Sequence, residues 1–593
     1  MKVLRIGCVF AGFLSLALSM PAQTFQTRFT FDGTDGMGPV SDLLQATDGN
    51  LYGTASAEGA GPYGSGGTIF KIAPSGSLTT VYNFCSQSGC TDGEYPRGVL
   101  VQAADGNFYG VTEFGGANNA GTVFKITPSG TLTTIHSFCS QSNCTDGENP
   151  CAGLVLASNG NLYGTTYVGG LYNGGAVFEI TPSGTLTTLY SFCSQSGCPD
   201  GANPFAPLIQ GADGNFYGTT YGYYYPPTGG AVFKMTLKPP VLGSGGTVFQ
   251  LTPSGTLTTL HSFCSQSDCT DGANPVAPLV QSSDGNFYGT TGEGGADTTG
   301  CADFGCGTVF KITPSGTLTT LHSFYLTDGG YPVYGGLVQA TDGNFYGTAL
   351  VGGADTTTCF GYGCGTVFRI TPGGTLTTLH SFCLLNSCPD GAYPYGGVIQ
   401  DTNGTFYGAT QASGAHEQGD GTVFGFRVGL GPFVEAQPTS GRVGAIVKIL
   451  GTNLTGATSV TFNGTPAVFK VLASSLIRAT VPEGATTGTV QVVTPSGTLS
   501  SNKEFRVTPV ISGFSPTSGP AGTSSVITSN SLTGATSVTF GGVKATTFTV
   551  NSDMQVTGNR ADRSENGKDP HHLGGWDRDV CHEFHADTDN LIL

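Results

Sequence analysis

Seven aspartates carry the first chemical suggestion in this chain. Asp35, Asp92, Asp146, Asp200, Asp271, Asp328 and Asp390 each stand in a D-G-x-x-P motif. A ring of such carboxylates would offer oxygen ligands to calcium or to a sugar. The plainer reading, and the preferred one, is an Asp-Gly turn whose carboxylate takes the amide hydrogens of its own loop. Aromatic side chains crowd the same loops: Tyr393 stands inside the last motif, Tyr395 follows it, and Tyr221, Tyr223, Tyr224 and Tyr225 interrupt the fourth unit. The candidate binding set is therefore Asp92, Asp146, Asp200, Asp271, Asp328 and Asp390 with Tyr223, Tyr224, Tyr225, Tyr393 and Tyr395.

Catalytic signatures are missing from the sequence. No Gly-x-Ser-x-Gly elbow, His-Glu-x-x-His pair or phosphate loop occurs. His136, His261, His322 and His380 fall at one position of separate repeats, so they do not converge on a metal and read as packing or surface residues. No catalytic residue and no metal ligand is assigned, although a pair of carboxylates for glycoside hydrolysis could be assembled from different repeats.

Cysteines come and go in pairs. A C-x4-C pair sits in five equivalent loops, as Cys85/Cys90, Cys139/Cys144, Cys193/Cys198, Cys264/Cys269 and Cys383/Cys388. Loops without cysteine are four residues shorter between the preceding Phe and the following Asp, as in Phe31 to Asp35 and Phe324 to Asp328. Both cysteines of a pair thus arrive with one insertion, which argues that each pair bonds to itself. The same logic covers Cys301/Cys306 and Cys359/Cys364. Zinc is the rival, but a tetrahedral site needs four ligands and the pairs lie on separate repeats. Cys151 and Cys581 remain without a partner.

The elements that position these groups follow from self-similarity. A DGNFYG-like block places its tyrosine at Tyr52, Tyr109, Tyr163, Tyr217, Tyr288, Tyr346 and Tyr407, with spacings of 57, 54, 54, 71, 58 and 61. Between these blocks run GTVFKITPSGTLTTLHSF-like segments. Each unit holds four short β-rich runs, for example 154–157, 162–167, 176–181 and 185–192, separated by tight-turn signals. Four antiparallel strands at this period describe a propeller blade. The fourth strand is absent after the seventh unit, and residues 24–31 supply a matching run followed by TDGMGP. The expectation is an all-β, seven-bladed propeller over 24–430, closed by an N-terminal strand that removes two sheet edges. The fourth unit writes its third strand twice, at 229–236 and 245–252, and the sequence does not say which copy pairs.

These units resemble the Gloeobacter/Verrucomicrobia-type tandem repeat of bacterial secreted proteins, over about residues 24–428, and the resemblance implies an extracellular or surface protein with no assigned chemistry. Asp48, Asp105, Asp213, Asp284 and Asp342 read as turn residues, since the Ser-x-Asp-x-Gly-x-x-Trp spacing of the sialidase Asp-box is not reproduced. Residues 433–508 resemble the IPT/TIG immunoglobulin-like domain, and 509–557 repeat its first half. Residues 558–593 carry 12 charged residues in 36 and read as an aberrant, disordered tail.

Composition sets the outer limits. The 593 residues are 10% charged and carry 95 glycines and a net charge of 22 − 39 = −17, which excludes a helical bundle and gives no footprint for nucleic acid. Lys2 and Arg5 precede an apolar run over 6–20 that falls short of the roughly 20 residues a bilayer requires. Residues 1–23 read as a cleaved secretory signal, and no span is expected in the mature chain. Local disulfides suit that compartment.

The first functional reading is a secreted or cell-surface binding or adhesion protein presenting aromatic and acidic loops to polysaccharide, with no cofactor unless calcium. The second is a secreted polysaccharide hydrolase or lyase. The third is a structural surface protein.

Overall fold

The computed structural model describes residues 24–62, 66–221, 245–296, 301, 305–385, 388–412 and 420–508, and, beyond these, 511–516, 522–529, 532, 538–540, 543–552 and 554–560. The segment read as a signal, the first copy of the doubled strand, Tyr223, Tyr224, Tyr225 and nearly all of the charged tail lie outside the described residues.

Among the described residues, 24–427 form seven four-stranded antiparallel sheets, a propeller-like series. The first contains Leu44–Gln45, Leu51–Ala55, Thr68–Ile72 and Leu78–Asn83 in sequence order. The seventh contains Val398–Gln400, Phe406–Thr410 and Thr422–Arg427, and its outer strand is Thr24–Thr30 from the start of the chain. These last two pair antiparallel from Thr24 opposite Arg427 to Thr30 opposite Thr422. In the fourth sheet the second copy of the doubled strand, Thr247–Leu251, pairs with both Phe216–Thr220 and Leu257–Ser262.

The repeated motif exists because of what it packs against. The glycine of each FYG block faces the phenylalanine of the adjacent third strand. A Cβ on Gly110 would lie 2.6 Å from the Phe124 ring, closer than carbon atoms approach, so only glycine fits. The preceding tyrosine turns its ring to the neighbouring sheet and its hydroxyl to its own hairpin. Tyr217 donates to Asp213 at 2.7 Å while its ring lies 4.1 Å from Phe287 of the next sheet.

Seams between sheets are built alike. The phenylalanine ending each fourth strand meets the third-strand phenylalanine of the following sheet edge-on, as in Phe84 with Phe124, Phe192 with Phe249 and Phe382 with Phe424, all within 5.2–5.3 Å. Phe31, from the N-terminal segment, makes the same contact with Phe70 of the first sheet at 5.2 Å. One hydrophobic cluster joins the seventh sheet to the first, through Phe31, Leu43, Phe70, Ala409 and Val423. Hydrogen bonds cross the same seam from Gln45 to Thr402 and from the Gly397 N–H to Asp42.

Residues 433–507 form an immunoglobulin-like β-sandwich. One sheet contains Glu435–Gln437, Ile446–Leu450, Leu476–Thr480 and Phe469–Ala473, and Val447, Ile449, Phe462, Ile477 and Val492 lie in the core. This sandwich touches the short hairpins between first and second strands. The Phe433 N–H donates to Thr402 O at 2.9 Å, Ser475 Oγ to Thr47 O at 3.4 Å and Lys448 Nζ to Ala103 O at 3.5 Å. The face carrying the longer loops is left on the other side. A further four-stranded sheet follows, from Gly513–Ser515, Ser524–Thr528, Gln555–Asn559 and Thr547–Ser552.

Because Phe31 is buried and fills the seam between sheets, Phe31→Ala should cost about 3–5 kcal/mol. Thermal unfolding of the variant beside wild type measures this. An unchanged midpoint would mean that the N-terminal segment does not hold the seam.

Candidate functional site

The residue after proline in the seven D-G-x-x-P motifs lies three or four residues before the short first strand of each sheet. These residues are Val40, Arg97, Cys151, Phe205, Val276, Tyr395 and, one place later in a longer loop, Tyr334. All seven line a single cavity of about 50 Å³. Backbones pack tightly beneath it. A Cβ on Gly98 would meet Gly153 at 2.8 Å, and one on Gly335 would meet Gly397 at 2.4 Å, so glycine at these places lets neighbouring first strands approach.

The cavity combines aromatic planes with a compact polar group. Tyr334 and Tyr395 stack with centroids 4.1 Å apart and planes within 9°. Phe205 leans on Tyr334 at 5.1 Å, and Tyr167 meets Phe205 edge-on at 5.8 Å. Arg97 Nε lies 3.2 Å from Glu113 in an ion pair. Burial and the neighbouring Tyr334 hydroxyl push the Tyr395 phenol well above its ordinary range. Burial, with Glu113 nearby, also raises the Cys151 thiol, whose sulfur donates to Asn149 O at 3.4 Å. A thiol held neutral in this way is a poor nucleophile.

Asp42 is the one carboxylate among the residues lining the cavity. Desolvation pushes it up to about 6 although it accepts the Gly397 N–H at 2.6 Å. Glu293, beyond the cavity, is likewise raised by burial while it accepts from the Asn274 amide at 2.7 Å.

The D-G-x-x-P aspartates turn inward to their own loops. Asp92 accepts the Ser86 N–H at 2.9 Å, the Gln87 N–H at 3.2 Å and the Tyr82 hydroxyl at 2.8 Å. Asp146 takes Ser140 and Gln141 and sits 3.2 Å from His136. Asp200 binds Tyr190 and Ser194. Asp271, Asp328 and Asp390 lie 3.1, 3.0 and 2.8 Å from His261, His322 and His380. The four histidines, read from sequence as packing or surface residues, thus each have a named partner: the aspartate six or ten positions downstream. Burial lowers His136 against the pull of Asp146. Asp92, Asp146, Asp200 and Asp271 are buried. Tyr393, inside its motif, lies half-buried, and of the two described aromatic candidates Tyr395 lines the cavity.

Seven local disulfides join Cys85 to Cys90, Cys139 to Cys144, Cys193 to Cys198, Cys264 to Cys269, Cys301 to Cys306, Cys359 to Cys364 and Cys383 to Cys388. Among the described residues, two sulfur clusters have metal-like spacing, Cys359, Cys364 and Cys383, and Cys85, Cys90 and Glu94. Pairing in disulfides removes the thiolates that a metal would require.

Sequence reading missed Arg97, Glu113, Phe205, Tyr334 and Asp42. The available signal was positional. The residue after the motif proline varies from copy to copy while a small residue always follows it, and each copy places it at nearly the same distance before its first strand.

The profile of the Gloeobacter/Verrucomicrobia repeat matches residues 16–144, 91–242 and 243–465, and the chain belongs to that family. An IPT/TIG domain matches residues 433–507. No curated protein matches significantly. A fungal alcohol oxidase of the AA5 family, solved with copper, aligns at 15% identity and a TM-score of 0.44, over 82% of this chain and 99% of that one. A putative 6-phosphogluconolactonase from Bacteroides uniformis aligns at 15% identity and a TM-score of 0.34, over 57% and 84%. A luciferin-regenerating enzyme aligns at 11% identity and 0.35, over 70% and 98%. Likeness at these scores carries no inference about chemistry.

The raised Asp42 gives a signed expectation. Its folded pKa of about 6 exceeds the ordinary 3.8, so folding takes up a proton. Its contribution to stability is fully present below pH 4 and is lost as pH rises through 6. Asp42→Asn should remove a loss on the order of 1–3 kcal/mol between pH 4.5 and 7.5, read as a flatter dependence of the unfolding midpoint on pH. Asp401, also raised to about 6, is present in both proteins. Parallel pH profiles would contradict the assignment.

Proposed function

We propose that the chain is a secreted or cell-surface binding protein: a seven-bladed propeller, closed by its N-terminal strand, that takes polysaccharide at the mouth of the axial cavity. The observation that carries this reading is the meeting of one residue from every repeat unit in one cavity. Seven equivalent positions converge when their sheets surround a common axis, and the seventh-to-first seam supports the same ring.

Sidedness adds to the reading. The immunoglobulin-like sandwich rests on the short-hairpin side through Thr47, Ala103 and Thr402, which leaves the longer loops and the cavity mouth free. Variable loops on a rigid scaffold are where binding usually resides. Aromatic faces such as Tyr334 and Tyr395 suit the C–H surface of a sugar ring, and Arg97, held by its ion pair with Glu113, provides a donor for hydroxyls. Seven local disulfides and the basic, then apolar, leading segment support a place outside the cytoplasm.

A hydrolase or lyase remains the second reading, supported by Asp42, which would be an acid near pH 6. Glycoside hydrolysis ordinarily needs two facing carboxyl groups, and Asp42 stands alone in the cavity lining. A structural surface role is the third.

A glycan array probed with the intact chain should give saturable binding to a defined polysaccharide. Tyr395→Ala and Arg97→Ala should each weaken it by about tenfold, or ~1.4 kcal/mol, without loss of fold. Reducing-sugar release in a parallel assay would favour the enzyme instead, and neither binding nor release would leave the structural role.

A further inference from the structure

The seven units are an internal control, because a position that departs from the other six copies departs against a known background. Several departures meet at the seam between the seventh and first sheets. In six units the fourth strand bulges at an aliphatic residue: Val81, Ile135, Leu189, Leu260, Leu321 or Leu379. The N-terminal strand bulges at the same place, between Thr27 and Phe29, and the residue there is Arg28. Bulges re-aim side chains and are common beside sites.

The strand beneath has lost a side chain. Opposite the FYG-block tyrosine the other units carry Lys71, Lys125, Glu179, Gln250, Lys311 or Arg369, whereas Tyr407 faces Gly425. A Cβ on Gly425 would lie 3.0 Å from the Tyr407 ring and 3.2 Å from Arg28 Nε. The guanidinium therefore lies over the aromatic face, 5.8 Å from its centroid, in space that a longer residue would fill. The small residue after the first strand, alanine in Ala46 and Ala340, is here Asp401.

These departures surround one opening. Arg28, Arg427, Asp401, Asn403 and Tyr407 line a pocket of about 300 Å³ with Asn453 and Ser474 of the immunoglobulin-like sandwich. Arg28 Nε is buried and has no hydrogen-bond partner among the described residues. A buried donor left without an acceptor is costly, and six homologous strands avoid that cost with an aliphatic side chain.

We propose that this seam pocket is a second binding site, for a small hydroxylated carboxylate of the sugar-acid class, with Arg28 holding the carboxylate. Guanidinium groups pair with planar oxyanions by parallel hydrogen bonds. Asp48 and Asp401 also line the pocket and offset its two arginines, which suits a monoanion better than a phosphate dianion. Amide and hydroxyl groups from Asn403, Asn453 and Ser474 are matched to sugar hydroxyls. The site is independent of the axial cavity and of the function proposed for it.

Calorimetric titration of the full chain with D-glucuronate, with glucose and inorganic phosphate as separate probes, tests the assignment. Glucuronate should bind with one site per chain and a dissociation constant below about 1 mM, while glucose and phosphate bind at least about tenfold more weakly. Arg28→Leu restores the residue found in the other repeats, so it should keep or raise the unfolding midpoint and weaken glucuronate by about tenfold or more. Gly425→Lys, which refills the space with another repeat's residue, should do the same if Arg28→Leu disturbs folding. Equal binding of glucose or phosphate overturns the carboxylate assignment. Failure of glucuronate to bind, or unchanged affinity in a folded variant, overturns the site.

Discussion

The structure depends on one seam, where the strand Thr24–Thr30 lies against the last strand of the repeat region. Thr24–Thr30 satisfies the open edge of Thr422–Arg427 and carries Phe31 to the first sheet, where it meets Phe70. Unpaired edge strands expose backbone hydrogen-bonding groups and invite association. Placing the two ends of a repeat array in one sheet removes that hazard. It also sets the register of the seventh sheet by a contact that recurs at other seams, the edge-on phenylalanine pair.

Repetition makes the scaffold, and departure from repetition makes the sites. Positions that hold neighbouring sheets together hardly vary: the FYG glycine, the tyrosine that stacks across the seam and the two phenylalanines of each edge-on pair. The residue after the motif proline varies because it lines a cavity, where packing between sheets does not require one side chain. At the closing seam the exchanges are coupled. Arg28 in place of an aliphatic residue is sterically compatible with Gly425 in place of a long side chain, and neither exchange has a packing rationale alone.

Much of this fold was legible in the sequence because its information is local. Four strands per unit follow from alternating β-rich runs and tight-turn dipeptides. The disulfides follow from cysteines that arrive in pairs with a single insertion, and the borrowed N-terminal strand from a fourth strand missing at one end and present at the other. What the sequence left open was non-local. The two copies of the third strand in unit four are nearly equivalent in pattern, and only pairing with Phe216–Thr220 distinguishes Thr247–Leu251. The convergence of Arg97, Phe205, Tyr334 and Tyr395 joins residues far apart in the chain, which no spacing rule connects. Asp42 shows the same limit, since its shift arises from enclosure by other units and not from its neighbours in sequence.

Hydrogen–deuterium exchange across residues 24–30 tests the closing seam most directly. The account predicts that amides of this strand are protected to the same degree as those of 422–427 and lose protection together with them in denaturant. Rapid exchange over 24–30 while 422–427 stays protected would show that the terminal strand is not part of the sheet and would contradict the account.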